Sequence, residues 1–181
     1  MPRIYPINKK AATASVRSAL EKQSNISNDP VTNMQATLAH SLPAFNVYMQ
    51  WDVLFDEVKR ILGQRQAYIF ALFVSKGSSC AYCETVFRKR LADIGTDAGK
   101  LVLSDEEKEL AAFGEAVARY HGNIANHLFN SLAKKYFTEE LVILTAFAGQ
   151  MIAANVFNNV AETNIDPHIR DYEPPLRRTW N

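Results

Sequence analysis

Two cysteines three positions apart are the residues with the clearest chemical potential in this sequence. Cys80 and Cys83 are the only cysteines of the 181 residues, and they lie in the segment Ser-Ser-Cys-Ala-Tyr-Cys-Glu at positions 78–84. Serine is a favoured N-cap, so we expect a helix to begin at the serines, with both thiols in its first turn. Unpaired backbone N–H groups and the helix dipole favour a thiolate there. Such a pair can alternate between dithiol and disulfide, one thiolate attacking a peroxide or disulfide and the second thiol resolving the product.

Two other roles are open to this cysteine pair. Small buried cysteines one helical turn apart can be inert core residues. A structural zinc site needs four Cys or His ligands at characteristic spacing, and the nearest histidines, His40 and His121, lie far from the pair in the sequence. Two cysteines this close in a reducing compartment are more often catalytic or metal-binding than a structural disulfide. Because further zinc ligands are missing near the pair, we favour a redox pair over a metal site.

The distribution of proline and glycine predicts the elements that position the pair. All seven prolines lie outside residues 44–166, and all seven glycines lie inside that span at scattered single positions. The Asn-Gly or Asp-Gly turns of a sheet protein are missing from the span, so it is predicted to be helical throughout. Apolar spacing and helix-start signals predict helices over 11–22, 31–40, 43–62, 64–75, from a capping box at Ser104, and over 138–161, with a loop at 24–30.

A thioredoxin-like fold is the other architecture that could carry a redox Cys-x-x-Cys motif. The apolar run at 69–74 would then be a buried strand leading into the active helix, since a short apolar run does not distinguish strand from helix. Proteins of that fold resemble one another in having a proline that faces the cysteines, and this chain has no proline between Pro43 and Pro167. We therefore expect an all-α fold with the Cys-x-x-Cys motif at a helix N-terminus.

Several segments together resemble a known family. They are the stretches 33–43, 62–72, 77–83, 137–142 and 151–159, of which Gly-Ser-Ser-Cys-Ala-Tyr-Cys at 77–83 is the most specific. Through these segments the chain resembles the alkylhydroperoxidase (AhpD-like) branch of the carboxymuconolactone decarboxylase family, in its peroxidase-related members. The resemblance implies an all-helical fold that assembles into symmetric oligomers, with a trimer or hexamer expected before a dimer. It also implies a peroxidase cycle without metal or organic cofactor, in which Cys83 attacks and Cys80 resolves.

The family motif also includes a proton relay that this chain lacks. Its glutamate and histidine positions correspond to Tyr68 and Phe87. Neither side chain takes a proton from a thiol near neutral pH. The resemblance therefore supports Cys80 and Cys83 as the redox pair and supports no relay.

Three other residues are candidate bases. Glu84 is the nearest carboxylate in sequence, but its spacing to Arg88 favours a surface ion pair, and a carboxylate raises the pKa of a nearby thiol. His121 and His127 belong to other predicted helices and could approach the thiols in three dimensions. Single histidines in amphipathic helices are more often structural, so we give both histidines a lower rank.

Charge and hydropathy exclude several classes of partner. Twenty Lys and Arg against nineteen Asp and Glu leave a formal charge of +1, so we expect no nucleic-acid partner and no anionic membrane surface. The basic start of the chain is followed by no apolar stretch of export-signal length, which predicts a cytoplasmic protein. The longest uninterrupted apolar run, 67–74, is far shorter than the ~20 residues that cross a bilayer.

The sequence therefore predicts a single domain over 1–181, with a family-like core at about 31–166 and an extended C-terminal tail at 167–181 that lies across another subunit. The predicted function is that of a thiol-dependent peroxidase for hydrogen or organic peroxides, re-reduced by a dithiol or disulfide-reductase donor. Aromatic residues are expected in the core or as walls of a pocket above the cysteines: Trp51, Phe55, Phe70 and Phe73. The alternative is a non-catalytic oligomeric scaffold or binding module, which the loss of the relay favours.

Overall fold

The computed structural model describes residues 1–27 and 30–175, and these residues form α-helices and no strand. In chain order the helices are α1 Ala14–Ser27, α2 Asn33–Leu38, α3 Leu42–Met49, α4 Asp52–Leu62, α5 Gln64–Gly77, α6 Ala81–Asp93, α7 Asp105–Arg119, α8 Asn126–Ala133 and α9 Thr138–Ala161, followed by a 3₁₀ helix at Pro167–Tyr172. The predicted all-α fold class is confirmed. The thioredoxin-like alternative is wrong, because the described part of the chain has no sheet.

The helices α7 and α9 begin at the positions that the sequence signals predict. At the start of α7, Ser104 Oγ accepts from the backbone N–H of Glu107 at 3.2 Å, and the Glu107 carboxylate accepts from the N–H of Ser104 at 3.0 Å. This reciprocal pair satisfies two backbone donors that the first turn would leave unpaired. Helix α9 begins at Thr138 and ends at Ala161, as its apolar stripe predicts.

Two predicted boundaries near the N-terminus are wrong. Helix α1 continues to Ser27, through part of the predicted loop, because no residue before Pro30 excludes a helix. The predicted helix over 43–62 is divided between α3 and α4 at Trp51. There the N–H of Trp51 bonds to the carbonyl of Tyr48, three residues back, at 3.2 Å, and the two rings are in contact with centroids 4.0 Å apart and planes tilted by 31°.

The predicted extended tail is also wrong for its first residues. Residues Pro167–Tyr172 form a 3₁₀ helix that packs on α6. Ile169 is buried, and Arg88 Nε donates to the carbonyl oxygen of Tyr172 at 2.9 Å. These contacts give the segment tertiary partners that a local pattern does not reveal. The rest of the predicted tail, 176–181, lies outside the described residues, so its predicted contact with another subunit stays a prediction.

Helix α5 is the central helix of the molecule. It packs against α4, α6, α7 and α9, and seven of its side chains are fully buried: Ala67, Ile69, Phe70, Ala71, Leu72, Val74 and Ser75. Its approach to α7 depends on glycine, because a Cβ at Gly114 would lie 2.9 Å from a ring carbon of Phe70 and a Cβ at Gly77 would lie 2.4 Å from the carbonyl oxygen of Glu115. This packing holds the end of α5, from which the chain turns into the cysteine motif.

Helix α9 corrects an expectation about membrane segments. It is long and apolar enough, by length and composition, to cross a bilayer, with a mean hydropathy of 1.6 over its best window. The sequence expectation counted only uninterrupted apolar runs and so overlooked a helix whose small and amide residues interrupt such runs. Core helices of water-soluble proteins pass the same test, and α9 packs along α4, α5, α6 and α7.

Candidate functional site

The cysteine motif lies at the start of α6, as predicted. Ser79 adopts a positive φ of 52°, and the N–H of Cys80 then bonds to the carbonyl of Ser75 at 3.0 Å, which ends α5 and begins α6. The N-cap is Cys80 rather than a serine: its Sγ accepts from the backbone N–H of Cys83 at 3.4 Å. The thiol therefore takes the role that a serine hydroxyl plays at other helix starts.

Both thiols are reduced and enclosed. Cys80 is fully buried and Cys83 is 5% exposed. Together with Tyr82 they form a small cluster that is covered by four apolar side chains: Met34, Val86, Met151 and Ile165. The sulfur atoms are therefore shielded from solvent in this structure.

The two thiols have opposite pKa shifts. The pKa of Cys80 lies below its usual value, mainly because the thiol of Cys83 donates a hydrogen bond to it, with help from the backbone N–H groups of Tyr82 and Cys83. Burial and the charge of Glu84 oppose this effect. The pKa of Cys83 is raised well above its usual value by its hydrogen bond to Cys80, by burial and by the charge on Cys80. In the dithiol state, Cys80 is therefore the thiol that ionises first.

Asn158 is a site residue that sequence reasoning missed. From α9, its Nδ2 lies 3.3 Å from Cys83 Sγ and 3.2 Å from the Met34 sulfur, and the hydrogen bond to Cys83 lowers the pKa of that thiol. Its Oδ1, and both side-chain polar atoms of the fully buried Asn155, have no partner among the described residues. The sequence signal that could have identified this residue is the presence of two amide side chains, Asn155 and Asn158, within the apolar stripe of α9, because a buried amide needs a polar neighbour.

Tyr82 connects the motif to two segments that are remote from it in sequence, the start of α2 and the residue before the 3₁₀ helix. Its hydroxyl donates to Asp166 Oδ2 at 2.6 Å, and Asp166 Oδ1 accepts from the N–H of Asn33, the first residue of α2, at 2.7 Å. Burial raises the pKa of Tyr82 well above its usual value, and the charge of Asp166 acts in the same direction. The neutral phenol therefore acts as a structural donor that holds α2 and the residue before the 3₁₀ helix over the thiols.

The structure brings the two relay positions together as an apolar pair. Tyr68 and Phe87 are both buried, their ring centroids lie 6.5 Å apart, and Phe55 packs against both rings. The Tyr68 hydroxyl accepts from Gln64 Nε2 at 2.9 Å. Neither side chain supplies a base, in agreement with the sequence analysis.

The other candidate bases have different outcomes. Glu84 is buried at 4% exposure, so its predicted surface pair with Arg88 is wrong, and Arg88 Nε donates to the carbonyl oxygen of Tyr172 instead. His121 and His127 are exposed, and the structure does not bring them to the thiols. In residues 1–27 and 30–175, no group of three or more His, Cys, Asp or Glu side chains could hold a metal ion.

A cavity of about 200 Å³ lies beside the enclosed thiols. Met34, Tyr82, Val86 and Met151 separate it from the cysteines, since these side chains belong to both the cavity wall and the cysteine cluster. Its other walls are largely aromatic: Tyr48, Trp51, Phe55, Phe87 and Phe147. Two of the four aromatic residues singled out from the sequence therefore line this cavity, while Phe70 is fully buried in the main core and Phe73 packs against that core.

Comparison with known proteins places the chain in an all-helical fold class. Two crystal structures of the debrominase Bmp8 share the fold, one without ligand and one of a cysteine-to-alanine variant in complex with 2,3,4-tribromopyrrole. Their TM-scores are 0.67 and 0.69 at 17% sequence identity, and the match covers 93% of this chain and 95% and 94% of theirs. At that identity the likeness establishes the fold alone. No family model and no curated protein matches the sequence, so the AhpD-like resemblance stays a prediction.

Proposed function

We propose that this protein is a dithiol oxidoreductase that reduces a small substrate by two electrons, with a peroxide as the first candidate. The observation that carries the proposal is the hydrogen-bonded cysteine pair at the start of α6, in which the pKa of Cys80 is lowered. The thiolate is the nucleophilic form of cysteine. The resemblance assigns the attack to Cys83, but the backbone N–H of Cys83 that donates to Cys80 Sγ at the start of α6 favours Cys80 as the attacking thiolate and Cys83 as the resolving thiol.

The peroxide reaction balances with these two residues alone. The Cys80 thiolate attacks one peroxide oxygen, an S–O bond forms as the O–O bond breaks, and the leaving alkoxide or hydroxide takes a proton. Cys83 loses its proton and displaces hydroxide from the resulting sulfenic acid, giving the disulfide and water. An external dithiol or a disulfide reductase then returns both cysteines to thiols.

Reductive debromination is a second candidate, favoured by the aromatic cavity beside the thiols. The structural neighbour is named a debrominase and binds a brominated pyrrole. For this chain, the Cys80 thiolate would form an S–Br bond as the C–Br bond breaks, and the electron pair left on the ring carbon would take a proton. Cys83 would then displace bromide to form the disulfide. Both candidates consume one dithiol for each substrate molecule.

A direct comparison of substrates tests the proposal. The native chain and the variant carrying both Cys80→Ser and Cys83→Ser are each given excess dithiothreitol with hydrogen peroxide, with an organic hydroperoxide, or with 2,3,4-tribromopyrrole. We expect the native chain to turn over one of these at least about a hundredfold faster than the variant, because the variant has no thiol to attack the substrate. Peroxide loss identifies the first candidate and bromide release the second. Equal background rates with all three would contradict both and favour the non-catalytic scaffold.

Oligomer formation stays a proposal, now with specific surfaces. Large apolar side chains are exposed on and beside α9: Phe129, Phe137, Val142, Val156 and Val160. Helices α8 and α9 also border an open apolar groove of about 620 Å³. We expect light scattering to give a molar mass that is a multiple of the 20.3 kDa chain mass, with a trimer or hexamer expected before a dimer. The Val142→Glu substitution should lower this molar mass, because it places a charge on the exposed apolar surface. A native chain that is monomeric at micromolar concentration would overturn this expectation.

The location and the partners of the protein follow from the proposed redox cycle and from its charge. We propose a cytoplasmic location with a dithiol or disulfide-reductase partner, because the cycle needs a supply of reducing equivalents. We propose no nucleic-acid partner and no membrane partner, since the formal charge of +1 provides no electrostatic attraction to either.

A further inference from the structure

The cavity beside the thiols has the size of a single aromatic ring with small substituents. Its volume of about 200 Å³ is below the roughly 300 Å³ at which drug-sized sites begin and above the ~150 Å³ of an engineered cavity that binds benzene. Flat rings on its walls, Trp51, Phe55 and Phe147 among them, favour a planar ligand over a flexible alkyl chain.

Arg90 supplies the positive charge at this cavity. Its guanidinium carbon lies 5.3 Å from the ring centroid of Phe55, 5.7 Å from that of Phe87 and 5.9 Å from that of Tyr68. Within the described part of the chain, no carboxylate lies within ion-pair distance of Arg90, whereas the adjacent Lys89 pairs with Asp93. Stacking on rings fixes the plane of a guanidinium and leaves its N–H donors available for an anion.

Among the other polar side chains at the cavity, Asp52 and Gln150 offer oxygen acceptors. Asp52 also lines the cavity, and its Oδ2 accepts from Gln23 Nε2 at 3.3 Å. Gln150 lines the cavity with a buried Oε1 that has no partner among the described residues, so it can accept from an N–H or O–H on a ligand. A second cavity of about 160 Å³ shares Thr32, Val86 and Arg90 with the first, and it provides space for a substituent beyond the ring.

We propose that this cavity binds a monocyclic aromatic molecule that carries an anionic group, with the ring among the aromatic walls and the anion on Arg90. Binding itself does not depend on redox chemistry. We further infer that such a molecule is the substrate, either an aromatic carboxylate that carries a hydroperoxide group or a brominated aromatic anion. This second inference rests on the proposed function. Recognition and reduction can therefore be tested separately.

The binding test uses the full chain with both cysteines replaced, Cys80→Ser and Cys83→Ser, so that no turnover occurs. Benzoate, benzyl alcohol and cyclohexanecarboxylate are titrated by calorimetry as an aromatic anion, an aromatic neutral molecule and an aliphatic anion. We expect benzoate to bind about tenfold more tightly than either of the other two, because only benzoate uses both the rings and the charge-assisted hydrogen bonds of Arg90.

Substitutions at the cation complete the test. Arg90→Gln should remove the preference for benzoate over benzyl alcohol, and Arg90→Lys should retain part of it. The matched control is Arg60→Gln, since Arg60 is an exposed arginine that pairs with Glu57 on α4. Equal affinity for benzoate and benzyl alcohol, no binding of either at millimolar concentration, or an unchanged benzoate affinity in a folded Arg90→Gln protein would each overturn the proposal. Binding without turnover in the native chain would leave the site standing and contradict the proposed function alone.

Discussion

The Cys83→Ser variant, treated with one equivalent of hydrogen peroxide, is expected to accumulate a sulfenic acid on Cys80 if the proposed peroxidase function is correct. The backbone N–H of Cys83 that bonds to Cys80 Sγ is retained in this variant, so Cys80 remains the N-cap of α6 with the helix start in place to favour its thiolate. The Cys80→Ser variant should form little sulfenic acid, because burial raises the pKa of the remaining thiol at Cys83. Catalytic turnover with dithiothreitol should fall further in Cys80→Ser than in Cys83→Ser, by on the order of a hundredfold or more, because dithiothreitol reduces the sulfenic acid of the Cys83→Ser variant directly.

Mass spectrometry after trapping with a sulfenic-acid reagent distinguishes the two orders of attack. Label on Cys80 in the Cys83→Ser protein supports the order proposed from the structure. Label on Cys83 in the Cys80→Ser protein, with none in the other variant, would restore the order implied by the family resemblance. The double variant is the control for labelling elsewhere in the chain.

The pH dependence of this first step has a defined sign. A thiol whose pKa is lowered keeps its thiolate at pH values where an ordinary cysteine, with a pKa of about 8.5, is protonated. The single-turnover rate of the native dithiol protein should therefore fall as pH decreases through the lowered pKa of Cys80 and level off above it.

Introducing the relay residues of the AhpD-like proteins that this chain resembles is expected to give a large increase in the rate of the peroxide reaction. Phe87→His together with Tyr68→Glu should raise the peroxide reaction rate at neutral pH by about 10²–10⁴-fold, the usual contribution of general acid–base assistance. The two rings lie 6.5 Å apart in the native protein, so the introduced carboxylate and imidazole would lie close enough to interact. Phe87 is one turn beyond Cys83 on α6, which places the new imidazole beside the thiol pair.

Stability and specificity controls belong with this relay experiment. Both positions are buried in the aromatic cluster with Phe55, so replacing the rings with polar groups costs stability, and the variants are compared only where their thermal unfolding shows a folded protein. Phe87→Gln with Tyr68→Gln is the matched control, since it introduces polarity without a titratable base. Stopped-flow rates that rise equally in both double variants would attribute the gain to altered access. A folded relay variant with no gain, beside a native chain already fast at neutral pH, would indicate a base that neither sequence nor structure has identified.

Local pattern was sufficient for several features of the helical scaffold. Capping residues and apolar spacing act over a few neighbouring positions, so Ser104 and Thr138 mark the starts of α7 and α9 directly. The cysteine motif lies at a helix start because the same local N-cap rule applies to it, with Cys80 itself as the cap. The absence of the relay could likewise be seen in the types of residues 68 and 87.

The chemical environment of the cysteines was decided only by tertiary structure. Asn158 lies 75 positions from Cys83 and Asp166 lies 84 positions from Tyr82, yet both pairs are in hydrogen-bond contact. The burial of Glu84 similarly depends on what packs around α6. The direction of a thiol pKa depends on burial and on which donors or charges lie within a few ångströms. Those distances arise from helix packing between remote segments, for which the spacing of residues along one helix contains no signal.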